Sequence, residues 1–199
     1  AHPALTGDLA FRTALHRALP RGSMAGALDT PAMPTVRAFP DGASALTDDD
    51  RLGNLEQARG VFPAAKVQPF APLRLVVIID ESRPEHRELA ERVVRTLDKL
   101  GLQAGVESLR ATEFARRKKQ GACDFYIDHV AIGGPSPDLV AMSAGALLGL
   151  TGKLVSVAAV ERQLERDRTV LPLVHRGFEL HRRNDLRGWY FLSRMPNRA

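Results

Sequence analysis

The middle of the chain alternates between short apolar runs and amphipathic stretches. Residues 72–80 (PLRLVVIID) are a continuous apolar, β-branched run, which is typical of a strand covered on both faces. In the stretch that follows, leucines and valines recur at helical spacing, Pro84 suits a first helical turn, and Gly101 lies just beyond the helix end. The same criteria predict a helix at 83–102, a strand at 102–109, a short helix at 111–120 and a strand at 123–132.

Strands and helices that alternate with short connections favour a parallel or mixed sheet with helices on its faces. The predicted fold class is therefore α/β, a mixed sheet with covering helices. A length of 199 residues favours a single domain. Within 1–199 we expect a helix plus a long loop at 1–60, a β-α-β-α-β core at 72–135, and helices with a return strand at 136–199.

The two flanks of this core carry weaker patterns. Residues 8–22 predict a helix capped by Asp8, with Leu9, Leu15 and Leu19 near one face. Further predictions are a surface loop at 21–50, a short helix at 51–63, helices at 138–150 and 156–168, and an edge strand or extended return at 169–180.

Composition narrows the class of protein. Apolar residues make up 44% of the chain and charged residues 26%, which excludes a disordered, collagen-like or disulfide-scaffold protein. The net charge of +5 raises nucleic acid as a partner. Acidic residues are interleaved with the basic ones, however, and the basic run 116–119 carries no aromatic side chains for base stacking. We therefore expect no nucleic-acid binding, and no membrane span, since the longest uncharged apolar stretch (139–152) is too short.

Cysteine usage and the first residues say little about the compartment. The single Cys123 cannot form an internal disulfide and is expected to be a small core residue. Position one is Ala1, and no basic-then-apolar signal segment precedes it, which fits a mature, processed or cut chain.

The sequence carries none of the common catalytic signatures. It has no Gly-rich phosphate loop and no Gly-x-Ser-x-Gly elbow, so we expect no enzyme, no catalytic residues and no cofactor. His175 and His181 would share one side of a strand but lack a third ligand, so no metal site is expected. Asp124 and Asp128 flank one strand and could form an acid/base pair, or simply open and close it. His129 lies at the carboxyl end of that strand, where open α/β sheets place ligands.

The order of these segments resembles that of the extracellular solute-binding proteins of family 5, the peptide, dipeptide and nickel receptors of ABC importers. Residues 9–19 (LAFRTALHRAL) look like that family's R-x-A-L-x-x-A helix. Residues 73–127 mirror its strand, long helix, strand, helix and strand, with Leu97 to Leu102, Phe114 and Asp124 at the matching positions. The tail resembles the family segment that contains Pro172, Leu173 and Gly188.

The resemblance implies one lobe of a two-lobed receptor. It covers the second, carboxyl-terminal lobe, and it implies a ligand held by closure against a first lobe that is missing here. It also implies an ABC permease as partner and a periplasmic or extracellular location.

The implied binding residues follow the third core strand. The family continues there as G-W-x-x-D-Y-x-D-P, whose Trp and Asp line the ligand cavity; here Val130 and Gly133 stand at those two positions. An extended ligand could still be held by backbone groups, so a peptide or related small solute remains the expected ligand. The predicted ligand-binding residues are His129, Val130, Ala131, Ile132, Gly133 and Gly134.

Two other functions stay open at this point. Similar lobes occur as sensory or interaction domains of cytoplasmic transcriptional regulators, and the replaced Trp and Asp favour that alternative with a degenerate binding site. An unrelated small α/β enzyme is the third hypothesis, which the missing catalytic signatures disfavour.

Overall fold

A computed structural model describes residues 2–29, 32–37, 46–70, 73–129 and 157–176 of the chain. The helices in these ranges are α1 (Pro3–Thr6), α2 (Leu9–Ala18), α3 (Arg21–Ala25), α4 (Asp48–Leu52), α5 (Leu55–Val61), α6 (Ala64–Val67), α7 (Pro84–Lys99), α8 (Ala111–Gln120) and α9 (Val157–Asp167), with a 3-10 turn at Gln68–Phe70. The strands are β1 (Ala32–Pro34), β2 (Arg74–Asp80), β3 (Gln103–Leu109), β4 (Phe125–Tyr126) and β5 (Val174–Arg176).

The central sheet has the strand order β3-β2-β4, and both pairings are parallel. Val77 in the middle strand faces Val106 on one side and Phe125 on the other. The side chains of Leu75, Val77, Ile78 and Ile79 are fully buried, as the apolar run predicted. The α/β fold class is confirmed; among the described strands, the antiparallel component is a separate pair formed by β1 and β5.

Helix α7 covers this sheet with one apolar stripe. Leu89, Ala90, Val93 and Leu97 are buried, while charged residues fill the opposite side. The helix begins at Pro84, and the chain leaves it through Gly101, whose φ of +86° favours glycine. The backbone N–H of Leu102 donates to the carbonyl of Leu97 at 3.0 Å, which closes the helix end. Both predicted helix boundaries are thus confirmed.

The amino-terminal helices pack into the same hydrophobic core as the central sheet. Asp8 caps α2 by accepting the N–H groups of Ala10 and Phe11. The Phe11 ring lies 5.4 Å from that of Phe62 and 6.1 Å from that of Phe125, so one aromatic side chain joins helix and strand. The predicted apolar face was wrong at Leu9, which is 47% exposed, because α2 is rotated so that Phe11 packs inward.

Three other predictions need correction or lie outside the described residues. The stretch 21–50 was predicted as a loop, but it contains α3, β1 and the start of α4. The sequence did not reveal these elements because short elements with Pro and Gly show no clear helical or strand periodicity. A strand was predicted at 123–132, and in the described part of that stretch only the two residues of β4 form a strand. The helix predicted at 138–150 falls outside the described residues.

The segment 157–176 is fastened to the amino-terminal helices by arginines. Arg12 Nε donates to the carbonyl of Asp167 at 2.9 Å, and Arg21 Nε donates to the carbonyl of Pro172 at 2.9 Å. The Arg21 side chain is buried, and burial lowers its pKa to about 10, so it keeps its charge at neutral pH. These contacts join residues about 150 positions apart and dock α9 and β5 on the core.

Asp124 links the amino ends of the central strands to the start of the chain. Its carboxylate is 1% exposed; Oδ2 accepts the backbone N–H of Val76 at 2.9 Å, and Oδ1 accepts the backbone N–H of His2. The Nδ1 atom of His2 lies 3.0 Å from the same Oδ1. A buried carboxylate that accepts from two distant chain segments at once acts as a structural link between them.

Replacing Asp124→Ala should lower the free energy of unfolding by about 1–3 kcal/mol, because it leaves the partly buried Val76 N–H without its partner. The measurement is urea unfolding followed by circular dichroism. The matched control is Glu88→Ala, which removes an exposed carboxylate that pairs with Arg92 and should cost no more than about 0.5–1 kcal/mol. Equal losses for the two variants would contradict the structural role of Asp124.

The stability should also fall in mild acid because of His16. This imidazole is buried, and its Nε2 lies 2.9 Å from Nη1 of Arg168, which can only donate. Burial, with Arg21 and Arg168 nearby, lowers the pKa of His16 to about 3. The unfolded chain takes up this proton near pH 6.5 and the folded chain does not, so stability is lost as the pH falls below that value.

We expect the His16 contribution to reach about 2 kcal/mol between pH 7 and pH 5, a window in which ordinary carboxylates stay ionised. Urea unfolding at several pH values measures it. In His16→Gln this part of the pH dependence should disappear; an unchanged slope would show that His16 is protonated equally in both states.

Candidate functional site

The carboxyl ends of β2 and β4 meet at one edge of the sheet, since the two strands are parallel. Asp80 ends β2, and His129 lies three residues after the end of β4. The carboxylate of Asp80 accepts the N–H and the hydroxyl of Ser82 at 3.0 Å and 2.8 Å, and the hydroxyl bond contributes most to the lowered pKa of Asp80. This turn leads directly into α7, so the first residues of that helix also lie at the carboxyl edge.

His86 stands in the first turn of α7 and is 3% exposed. Its Nδ1 atom is buried and has no hydrogen-bond partner. Burial lowers the pKa of His86, so the ring is neutral at physiological pH, with nearby Glu85 and Asp128 opposing the effect. A buried polar atom without a partner costs about 1–3 kcal/mol, so its presence calls for a functional reason.

The ring of His129 lies against that of His86. The ring centroids are 5.8 Å apart and the planes are tilted by 49°. The His129 side chain is 48% exposed, whereas His86 is buried beneath it. We call His86 and His129 the histidine pair; it places one imidazole inside the protein and one at its surface, at the edge where parallel sheets bind ligands.

Asp128 adds a carboxylate beside this pair. Its Oδ1 accepts the backbone N–H of His129 at 2.9 Å and lies 3.6 Å from Nδ1 of the same residue. Its Oδ2 accepts from the ammonium group of Lys118, which also lies 5.1 Å above the ring of Tyr126. Asp128 is therefore shared between Lys118 and His129.

The structure separates the two aspartates that flank β4. Asp124 is bonded to the amino end of β2, whereas Asp128 pairs with Lys118 at the carboxyl edge, so the acid/base pair does not form. His175 lies on β5, and its Nε2 is buried without a partner, while His181 is outside the described residues. Cys123 is only partly buried rather than a core residue, and partial burial raises the pKa of its thiol.

Among the predicted ligand-binding residues, the structure places His129 at the expected strand end, and its binding role stays a prediction. The others, Val130, Ala131, Ile132, Gly133 and Gly134, lie outside the described residues. Sequence reasoning missed His86, although Pro84 had already marked the helix start directly after a parallel strand. Any side chain in that first turn lies at the carboxyl edge, and this was the available signal.

The described ranges contain no group of three or more His, Cys, Asp or Glu side chains placed to hold a metal ion. In the same ranges, no helix has the length and apolar character needed to cross a bilayer.

No protein-family profile matches the chain, and no curated protein matches it in sequence. Its fold does match solved structures. The Escherichia coli murein tripeptide-binding protein MppA is 17% identical over 86% of this chain and 40% of its own, with a TM-score of 0.61. NikA from Brucella suis, in complex with Fe(III)-EDTA, is 18% identical over 85% of this chain and 42% of its own, with a TM-score of 0.62. A clavulanic acid biosynthesis oligopeptide-binding protein is 19% identical over 84% and 38%, with a TM-score of 0.60.

These matches confirm, at the level of fold, the resemblance that the segment order predicted. The fold is that of a lobe of a periplasmic binding protein, as in the family 5 solute-binding proteins. The chain spans only about two fifths of the length of these structures, 38% to 42%.

The imidazole of His86 should not add to the free energy of unfolding. Replacing it by an apolar side chain of similar size, His86→Leu, removes the unpaired buried nitrogen and should leave the free energy of unfolding equal or raise it by up to about 2 kcal/mol. Urea unfolding at pH 7 measures this. In the same helix, Leu89→Ala should lower it by about 2–5 kcal/mol, as buried leucines do. A large loss for His86→Leu would mean that the imidazole is needed for packing.

Proposed function

We propose that the chain is the ligand-binding lobe of an ABC-transporter solute-binding protein, which captures its ligand by closing against a first lobe. The observation that carries this proposal is the fold match, which covers 84% to 86% of the chain in structures of binding proteins. Those neighbours are binding proteins rather than enzymes, which supports a non-catalytic role.

The ligand would be a peptide or a related small solute. Two of the matched proteins are named for a tripeptide and for oligopeptides. The proposed contact residues are His129 and the segment 130–134, with His86 behind the first of them. Because Val130 and Gly133 stand where the family has Trp and Asp, we propose recognition through backbone groups rather than through a charged anchor for the amino terminus.

The remaining partners follow from the same proposal. The first lobe completes the cleft, an ABC permease receives the ligand, and the protein works in the periplasm or at the extracellular surface. One structure with a similar fold is an ABC transporter substrate-binding protein from Listeria monocytogenes, and MppA is a periplasmic murein tripeptide-binding protein.

A sensory domain of a transcriptional regulator is the second candidate. The replacement of the Trp and Asp by Val130 and Gly133 favours it, since a regulator does not need to retain the transport ligand. The complete gene separates the two, because a transport receptor has a signal segment and a first lobe and a regulator has a DNA-binding segment.

The test is thermal unfolding of the chain with pools of short peptides, amino acids or sugars. A ligand at 100 times its dissociation constant should add about 2.7 kcal/mol of stability, which shifts the midpoint by about 5–10 °C. His129→Ala should reduce the shift, whereas His175→Ala on β5 should not. If a cooperatively folded chain shows no shift with any pool, and none appears when a first lobe is supplied, the solute-binding proposal fails.

A further inference from the structure

We propose that the contact between His16 and Arg168 is an acid-sensitive latch. It fastens segment 157–176 to the amino-terminal helices at neutral pH and releases that segment when His16 takes up a proton. In the released form α9 and β5 leave the core, while the central sheet of β3, β2 and β4 stays folded. The latch belongs to the fold of the lobe and does not depend on which ligand the lobe binds.

The contact requires a neutral imidazole. Nη1 of Arg168 lies 2.9 Å from Nε2 of His16. A guanidinium group offers only donors, so Nε2 is the acceptor and the proton of the neutral ring stands on Nδ1. A second proton, on Nε2, would remove this hydrogen bond and place two cations against each other. The latch is therefore closed only while His16 is uncharged.

Further charged groups face this imidazole from its own helix and from two others. Arg21, at the start of α3, is buried and donates from Nη1 to the carbonyl of His16 at 2.8 Å. Arg17 follows on α2, and Asp50 on α4 is the carboxylate that opposes these cations. Oδ2 of Asp50 already accepts the N–H and the hydroxyl of Thr47 at 3.1 Å and 2.7 Å. The charge that faces His16 is therefore mainly positive.

Arg168 occupies a backbone conformation that favours glycine. It directly follows α9, its φ is +50°, and its N–H donates to the carbonyl of Leu164 at 2.9 Å, which closes the helix end. A side chain makes this left-handed conformation less favourable, so surrounding contacts must hold it. The contact with His16 is one that holds Arg168, and its loss favours rearrangement of the backbone between α9 and β5.

The other attachments of the segment are few and mostly polar. Two arginines of the amino-terminal helices donate to its carbonyl groups, and three residues of β5 pair with β1. Among its described apolar side chains, Val160 and Leu164 are the buried ones. A segment that buries little apolar surface opens more readily than the core of a fold. Segment 157–176 can therefore open while the central sheet stays closed.

Acid shifts this equilibrium toward the released form. Burial, followed by the charges of Arg21 and Arg168, lowers the pKa of His16 to about 3 in the docked form. Release removes Arg168 and admits solvent, so the pKa rises toward the ordinary value of 6.5. The released form then binds more protons, and its population grows as the pH falls below that value. A complete return to 6.5 raises the opening constant by about 25-fold between pH 7 and pH 5.

The test is hydrogen–deuterium exchange of the whole chain at pH 7 and pH 5, followed by mass spectrometry and corrected for the intrinsic exchange rates. We expect the amides of α9 to exchange faster than those of β2 at both pH values. Their protection factors should fall by about 5- to 25-fold from pH 7 to pH 5.

Two variants and a control locate the effect. His16→Gln keeps an acceptor for Arg168 but cannot be protonated, so the fall in protection should disappear. Arg168→Gly suits the left-handed conformation and removes the cation that faces His16, so the fall should become smaller. His86→Leu is the matched control: it removes another buried imidazole with a lowered pKa, on α7, and the fall should remain.

Three outcomes would overturn the latch. The first is equal exchange of α9 and β2 at both pH values, because the segment would then open only with the whole fold. The second is a protection factor of α9 that does not change between pH 7 and pH 5. The third is a fall of the original size in His16→Gln or, if that variant does not fold, in Arg168→Gly.

Discussion

The rest of the structure depends on the burial of strand β2. Its apolar side chains point to both faces of the sheet, so helices must cover both, and neighbouring strands must satisfy its backbone on both edges. Parallel pairing with β3 and β4 follows, because the covering helices α7 and α8 return the chain to the same end each time. One consequence is that chain segments far apart in sequence meet at the same end of the sheet, either where the parallel strands begin or where they end.

The two edges of this sheet have different characters. At the amino edge, Asp124 is saturated with donors from Val76 and His2, and its carboxylate is closed to solvent. At the carboxyl edge, His86 keeps an unpaired buried nitrogen and His129 stays half exposed. Satisfied polar groups stabilise a fold, whereas an unsatisfied one costs stability, so of these two edges the carboxyl edge is the one that suggests a ligand.

The segment 157–176 packs back against the amino-terminal part of the chain. Its carbonyl groups accept from Arg12 and Arg21, and β5 pairs with β1 near the other end of the chain. Arg21 is charged and buried with carbonyl partners, and His16 beside it stays neutral because burial first, and then the nearby positive charges, disfavour its protonated form. Part of the acid sensitivity of the fold therefore arises where the last described segment docks, and buried His86, whose pKa is also lowered, adds a second part.

The local sequence pattern was sufficient to predict those helices and strands that have a clear hydrophobic pattern of their own. The run at 72–80 determined a doubly covered strand, and Pro84 and Gly101 determined where α7 begins and ends, because these depend on burial and on the conformational limits of single residues. The short elements between 21 and 50 could not be predicted, since each is too short to show a period and is held by long-range contacts such as that of Arg21.

His129 could be placed at a strand end from sequence, but its neighbour His86 lies 43 positions earlier on a different element. Only the parallel pairing of β2 and β4 brings the two rings together, because side-chain proximity across elements is decided by tertiary packing and leaves no mark in local sequence.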